Sequence, residues 1–182
     1  MGKLYNAIDI SRYIINYSNN KDYGINNLKL QKLLYFVQAQ FIIEKGMPCF
    51  VERIEAWGFG VVVPESYSEF KKYGLSNIPY IKSYLLYIGP KLWDAVRVEY
   101  DDSYISSEDK ALINEVVDEL SDYSSSDLLN ISSHQAPYMD AYARGKGTEI
   151  AVETIKKYNL IMVLSQKNLI YGYILGNMIF HV

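Results

Sequence analysis

The sequence is short of the residues that most often carry chemistry. It has one cysteine, Cys49, in 182 residues. That excludes an internal disulfide framework and a thiolate zinc cluster, and it suits a reducing compartment, with the cytoplasm as the default location. Set between Pro48 and Phe50, the thiol reads as a small buried hydrophobe rather than a nucleophile. There are two histidines, His134 and His181, 47 residues apart, so there is no HExxH motif, no His pair one helical turn apart and no local metal-ligand set. The chain contains no GxGxxG, Walker A or GxSxG motif, and Gly145-Lys146-Gly147-Thr148 matches only the tail of a phosphate loop. Without the upstream glycine and strand, that tetrapeptide reads as a helix boundary. Long apolar runs are also missing. Lys3, Asp9 and Arg12 interrupt the first twenty residues, and the most apolar stretch, Asn168 to Val182, has 15, short of the roughly 20 that cross a bilayer. No targeting segment and no membrane span are expected. The formal charge of −3 argues against general phosphate binding, and so against nucleic acid as a partner.

What is present is a core, an excess of tyrosine and a segregated charge. Five prolines, eleven glycines and 49% hydrophobic residues fit one compact domain. Tyrosine occurs 18 times, against six Phe and two Trp. It is favoured where a side chain is half buried and half wet, as at recognition surfaces. Codon usage gives a blander account: Lys outnumbers Arg 14 to 4, and 20 Ile and 12 Asn fit an AT-rich genome. The acids cluster. From Glu99 to Asp127 there are ten acids and one base, Lys110, a segment of −9 that leaves +6 for the rest. Such a block can steer a basic partner, or it can be the solvated face of a helix whose first turn favours acids.

Apolar spacing predicts a helix over residues 6–18, with Ala7, Ile10, Ile14 and Tyr17 on one face. A second is predicted from an Asn27 cap, through Leu30, Leu33, Leu34, Val37 and Phe41, to Gly46 and Pro48. Residues 49–63 read as a small β-hairpin or β-arm, because Val61, Val62 and Val63 are β-branched in a row. Pro64 opens a helix to Tyr73, carrying Tyr67 and Phe70 on one face, and Gly74 stops it. Residues 75–106 are the least readable, with one strand suggested at Ala95–Tyr100. Helices follow from Ser107, from the serine run Ser124–Ser126, from Pro137, and from Thr148 as a cap over Ile150–Tyr158. The expected class is mainly α: a compact helical domain over 1–160 of about six helices with one small β element. Residues 161–182 are expected to be an apolar C-terminal extension packing on it, or a surface for homo-oligomer formation.

Four stretches carry a likeness that composition cannot supply. Leu28-Lys29-Leu30-Gln31-Lys32-Leu33-Leu34-Tyr35-Phe36-Val37-Gln38-Ala39 is followed about twenty residues on by Glu55-Ala56-Trp57-Gly58-Phe59-Gly60-Val61-Val62 and then Tyr67-Ser68-Glu69-Phe70. Later comes Ser133-His134-Gln135-Ala136-Pro137-Tyr138. In this order the motifs resemble the Panacea domain family, the SocA-like and GepA-like phage-associated proteins, from about Ala7 to Tyr158. This chain has Gly60-Val61-Val62 where the family usually has Gly-Pro-Val, and Tyr138 where Trp is common.

The resemblance implies an antitoxin: a cytoplasmic, often prophage-encoded protein that binds a co-encoded toxin protein and blocks it. In some branches it hands the toxin to a protease. No catalytic group and no cofactor is implied. The residues expected to bind the partner are Trp57, Phe59, Tyr67 and Phe70 around the β corner, with Lys29, Lys32 and Tyr35 exposed on the adjoining helix. His134, Pro137 and Tyr138 complete that region if the motifs converge. Alternatives are an adaptor that delivers a protein to a cytoplasmic unfoldase-protease, and an enzyme acting on a small ligand in a deep pocket that joins His134 with Tyr138, Tyr35 and an acid. For Trp57, a purely structural role packed on the second helix is the plainer reading.

Overall fold

The strongest apolar repeat in the sequence becomes the centre of the structure. A computed structural model describes residues 3–165, in which seven helices run in the order α1 (Ala7–Asn20), α2 (Asn27–Lys45), α3 (Pro64–Phe70), α4 (Ser107–Glu119), α5 (Ser125–Ser133), α6 (Ala136–Arg144) and α7 (Val152–Ser165). Helix α2 is surrounded by α1, α3, α4, α5 and α7. Every residue from Lys29 to Ile42 is buried. Ile10 and Ile14 of α1, Ile113 and Val117 of α4, Leu128 of α5 and Ile155 of α7 form one apolar cluster with Leu30, Leu34, Val37 and Phe41 of α2. The mainly-α expectation holds.

The helix ends follow local chemistry. Asn6 caps α1 by accepting from the Ile8 N–H at 2.9 Å. Asn26, not Asn27, caps α2, accepting from the Lys29 N–H at 2.9 Å. The displaced Asn27 side chain donates to the Tyr67 carbonyl at 3.1 Å instead. Gly46 closes α2 in the left-handed region at φ 70°, which costs a residue with a Cβ more than glycine. Ser106 caps α4, and Ser124 with Asp127 forms a reciprocal capping box on α5. Pro64 and Pro137 sit in the first turns of α3 and α6, where a missing N–H costs nothing.

The β content exceeds the single element expected. Strands β1 (Glu55–Trp57) and β2 (Gly60–Val62) form the anticipated hairpin. The sheet continues in the order β2, β1, β5, with β5 (Thr148–Glu149) pairing antiparallel to β1 through Glu55 opposite Glu149. Thr148 is therefore a strand residue rather than a helix cap, and its hydroxyl turns back to the Gly145 carbonyl at 2.6 Å. A second antiparallel pair, β3 (Ser83–Tyr87) and β4 (Ala95–Glu99), occupies the least readable stretch. Strand β4 was visible in the sequence. Its partner β3 was not, because Ser83-Tyr84-Leu85-Leu86-Tyr87 lacks polar alternation.

Tyrosines join α1 to the acidic segment. The hydroxyl of Tyr5 donates to Asp109, that of Tyr13 to Asn114, and those of Tyr17 and Tyr23 both to Asp118. Lys45 completes the arrangement with ion pairs to Asp109 at 2.6 Å and Glu108 at 2.9 Å. Burial first, then the Asp118 carboxylate, pushes the Tyr17 phenol up to about 12.

Helix α7 carries the backbone as far as Ser165, and the expected packing of 161–182 lies outside the described residues. Leu34 is fully buried at the centre of the cluster. Leu34→Ala is expected to lower stability by about 2–5 kcal/mol, measured by the shift in urea midpoint at unchanged slope.

Candidate functional site

The turn from β1 to β2 presents three aromatic rings together. Trp57 ends β1, Phe59 lies in the turn, and Tyr67 comes from the middle of α3. All three ring pairs have centroid separations of 5.5 Å, with tilted or edge geometries, the arrangement that aromatic quadrupoles favour. Each ring is half buried, so each keeps a face or edge toward solvent. The Trp57 indole N–H donates to Glu55 Oε2 at 2.7 Å, and Arg53 Nε pairs with the other oxygen of that carboxylate at 2.8 Å. Trp57 thus packs chiefly in this cluster.

Beneath the turn lies Lys32. Its Nζ donates to the Phe59 carbonyl at 2.7 Å and the Val61 carbonyl at 2.9 Å, bridging the backbone on either side of Gly60. Gly60 has φ 95°, and a Cβ there would lie 2.7 Å from Leu129 Cδ1 and 2.8 Å from Lys32 Nζ. Both the left-handed backbone and the close approach of the lysine require glycine. Burial alone pulls the Lys32 ammonium down to about 7. The Tyr138 hydroxyl donates to the Trp57 carbonyl at 2.8 Å, and its ring stacks on Tyr142 at 5.4 Å. The turn is therefore held by a lysine from α2 and a tyrosine from α6.

The expectation that Lys29, Lys32 and Tyr35 are exposed is overturned. They are 7%, 1% and 0% exposed, because α2 is enclosed on all sides. Lys29 reaches the Ser121 carbonyl at 2.6 Å, and burial lowers its pKa, partly opposed by Asp122. Tyr35 donates to Gln135 Oε1 at 2.7 Å. Phe70 is also buried and leaves the aromatic cluster. It lines a cavity of about 430 Å³ shared with Arg12 and Tyr84, where the guanidinium lies 3.5 Å over the tyrosine ring.

The late motif converges in part. Tyr138 and Gln135 reach the site region, and Pro137 is buried at the start of α6. His134 stays outside, exposed at the end of α5, with Nδ1 2.8 Å from the Asn130 carbonyl. Tyr35 is sealed against Gln135 while His134 faces solvent, so these residues do not gather around an open ligand space. Among the described residues no group of three or more His, Cys, Asp or Glu is placed to hold a metal ion. No helix among them is long and apolar enough to cross a membrane. Burial pushes the Cys49 thiol well above its usual range, which suits an inert core residue.

Sequence reasoning missed Glu55, Gln135 and Leu129. None stands in an apolar repeat. The only signal available for Gln135 and Glu55 was their position inside the quoted motifs.

Fold and site together define a mainly-α protein that presents a braced aromatic cluster at a β-turn. The model of the family described as "Antitoxin SocA-like, Panacea domain" matches residues 30–137, more than half of the chain. The protein belongs to that family. It is similar to "Antitoxin SocA" of Caulobacter vibrioides (strain NA1000 / CB15N), 47% identical over 53 residues, 29% of this chain and 28% of that protein's length. The match thus spans less than a third of that relative. No solved structure matches.

Lys32 links folding to pH with a defined sign. Its folded pKa of about 7 lies below the roughly 10.4 of an unfolded lysine. Between those values the unfolded chain binds more protons, so the lysine's contribution to stability rises with pH. The penalty is fully present below pH 7. Relative to Lys32→Met, wild type is expected to gain stability from pH 7 to about pH 9.5, read from urea midpoints at both pH values.

Proposed function

We propose that this chain is an antitoxin that binds and neutralises a co-encoded protein toxin, associated with a phage or prophage and acting in the cytoplasm. It works by contact, without a catalytic step or a cofactor. The observation that carries this reading is the Trp57, Phe59 and Tyr67 cluster, half exposed, at a turn held by Lys32 and Tyr138. Aromatic anchors dominate protein interfaces because they remove a large apolar area from water with few torsions to freeze. A turn already fixed by Lys32, Gly60 and Tyr138 loses little further freedom on binding. Family membership supports a toxin as the partner.

In this reading Trp57, Phe59 and Tyr67 touch the toxin. Lys32 and Tyr138 position them, while Lys29, Tyr35, Phe70 and Pro137 hold the frame from inside. His134, exposed at the end of α5, stays outside this frame.

The test is expression of the adjacent gene, alone and with this chain. A neighbour that is toxic alone, is rescued by this protein and co-purifies with it supports the reading; a neighbour that is neither toxic nor bound overturns it. Trp57→Ala with Tyr67→Ala is expected to weaken binding by about 2 kcal/mol or more, roughly 30-fold, measured at a temperature where circular dichroism shows the variant folded. Loss of the toxin from cells, with no inhibition by the purified protein, replaces neutralisation by contact with delivery to proteolysis.

A further inference from the structure

The β3–β4 hairpin is the part of the described surface that a folded protein does not ordinarily leave bare. Among the described residues twelve large hydrophobic side chains are exposed, and six of them, Leu85, Leu86, Tyr87, Ile88, Trp93 and Val96, lie within this hairpin. Trp93 and Ile88 are 78% and 71% exposed. A concentration of this kind marks an interaction surface, whereas scattered exposed leucines need no explanation.

The backbone points the same way. The register sets Tyr84 opposite Val98 and Leu86 opposite Val96, and the ladder is continued by Tyr100 N–H to the Lys82 carbonyl at 2.8 Å and Ile88 N–H to the Asp94 carbonyl at 3.1 Å. In an antiparallel pair, hydrogen-bonded and non-bonded positions alternate. The even-numbered residues therefore bond across the hairpin, and the N–H and C=O groups of Ser83, Leu85 and Tyr87 face outward. The sheet has only these two strands, so among the described residues the outer edge of β3 is unpaired. Proteins usually guard such an edge with charge or proline. The β4 edge carries Arg97 and Glu99, while from Ser83 to Gly89 the β3 side has no charge at all.

Charge selects the occupant. Residues 69–99 hold five cations, Lys71, Lys72, Lys82, Lys91 and Arg97, against three carboxylates, Glu69, Asp94 and Glu99, a net +2 in a chain of net −3. All five cations are exposed. Pairing β3 with a second copy of itself would bring two such segments together. An apolar segment bearing carboxylates satisfies the edge, the exposed side chains and the cations at once. Helix α3 joins this surface to the aromatic cluster, since Tyr67 lies in the cluster and Phe70 lines the cavity that Leu85 and Tyr87 also line.

We propose that the outer edge of β3 accepts an extended apolar and acidic segment of the protein partner as an added strand. The partner is the toxin of the reading above, on which this assignment rests. Main-chain bonds to Ser83, Leu85 and Tyr87 supply affinity, and Lys72, Lys82, Lys91 and Arg97 select carboxylates.

Residue-resolved amide hydrogen exchange on the full chain tests it. The additions are the neighbouring gene product, a short synthetic peptide of alternating valine and glutamate, and vesicles of phosphatidylcholine with phosphatidylserine. The neighbour is expected to slow exchange at Leu85 and Tyr87 by about tenfold or more. Leu85→Pro, which removes an outward N–H that an edge position can lose, is expected to weaken binding by about tenfold, as is Lys82→Glu with Arg97→Glu. Leu75→Ser, exposed outside the hairpin, leaves binding unchanged. Circular dichroism of each variant checks that it folds.

If the neighbour binds while Leu85 and Tyr87 exchange as before, the strand proposal is overturned and the antitoxin reading stands. If the neighbour does not bind, that reading fails and the peptide decides: protection of the same amides upholds the acidic-strand site, and no protection overturns it. Protection by the vesicles alone makes the hairpin a lipid contact and overturns the proposal.

Discussion

Enclosure of α2 on every side is the constraint on which the rest depends. A helix in that position has no solvent face for its polar residues, and an unpaired polar group in an apolar interior costs more than a net hydrogen bond contributes. The polar side chains of α2 therefore reach for backbone. Lys29 takes the Ser121 carbonyl, Gln31 receives the Val63 N–H, Lys32 takes the Phe59 and Val61 carbonyls, and Gln38 accepts from the N–H groups of Cys49 and Phe50. Each bond ties α2 to backbone outside the helix, in the loops and strand that surround it. The aromatic turn is one of these loops. Its shape is set from within the core and displayed outside it.

The same logic assigns four of the 18 tyrosines and part of the acidic block. Tyr5, Tyr13, Tyr17 and Tyr23 bring apolar rings to the junction of α1 and α4 and end in hydroxyls that need acceptors. Asp109 and Asp118 of α4, with Asn114, supply them. Asp127 completes a helix cap, and Asp102 pairs with Lys110 at 2.7 Å. Several of the ten acids thus serve the fold, and Glu99, Glu115, Glu119 and Asp122 remain on the surface. The two features that stood out in composition are partners in one interface.

Legibility varied with the range of the interaction. Helix α2, its glycine stop, the serine-led starts of α4 and α5, and the β1–β2 hairpin all rest on neighbours a few residues apart, and they could be read along the chain. The meeting of Trp57, Phe59 and Tyr67 was anticipated in outline, since all three lie in adjacent motifs. Lys29, Lys32 and Tyr35 were misplaced because a lysine on an amphipathic repeat normally faces water. Only knowledge of how many elements pack around α2 reverses that assignment. Thr148 reads as a cap for the same reason: its pairing with Ala56 spans about half of the chain.

The sequence by itself determined the mainly-α class, most helix boundaries and the motifs that place this chain in its family, because caps, prolines, glycines and apolar periodicity act locally. Tertiary structure decided which polar residues are buried, which aromatic residues are displayed, and that β3 has an edge left unpaired by the described residues, beside exposed cations. Those outcomes depend on contacts between residues as far apart as Tyr138 and Trp57. Whether a given side chain meets water or carbonyl there is fixed by what packs over it, and no spacing along the chain records that.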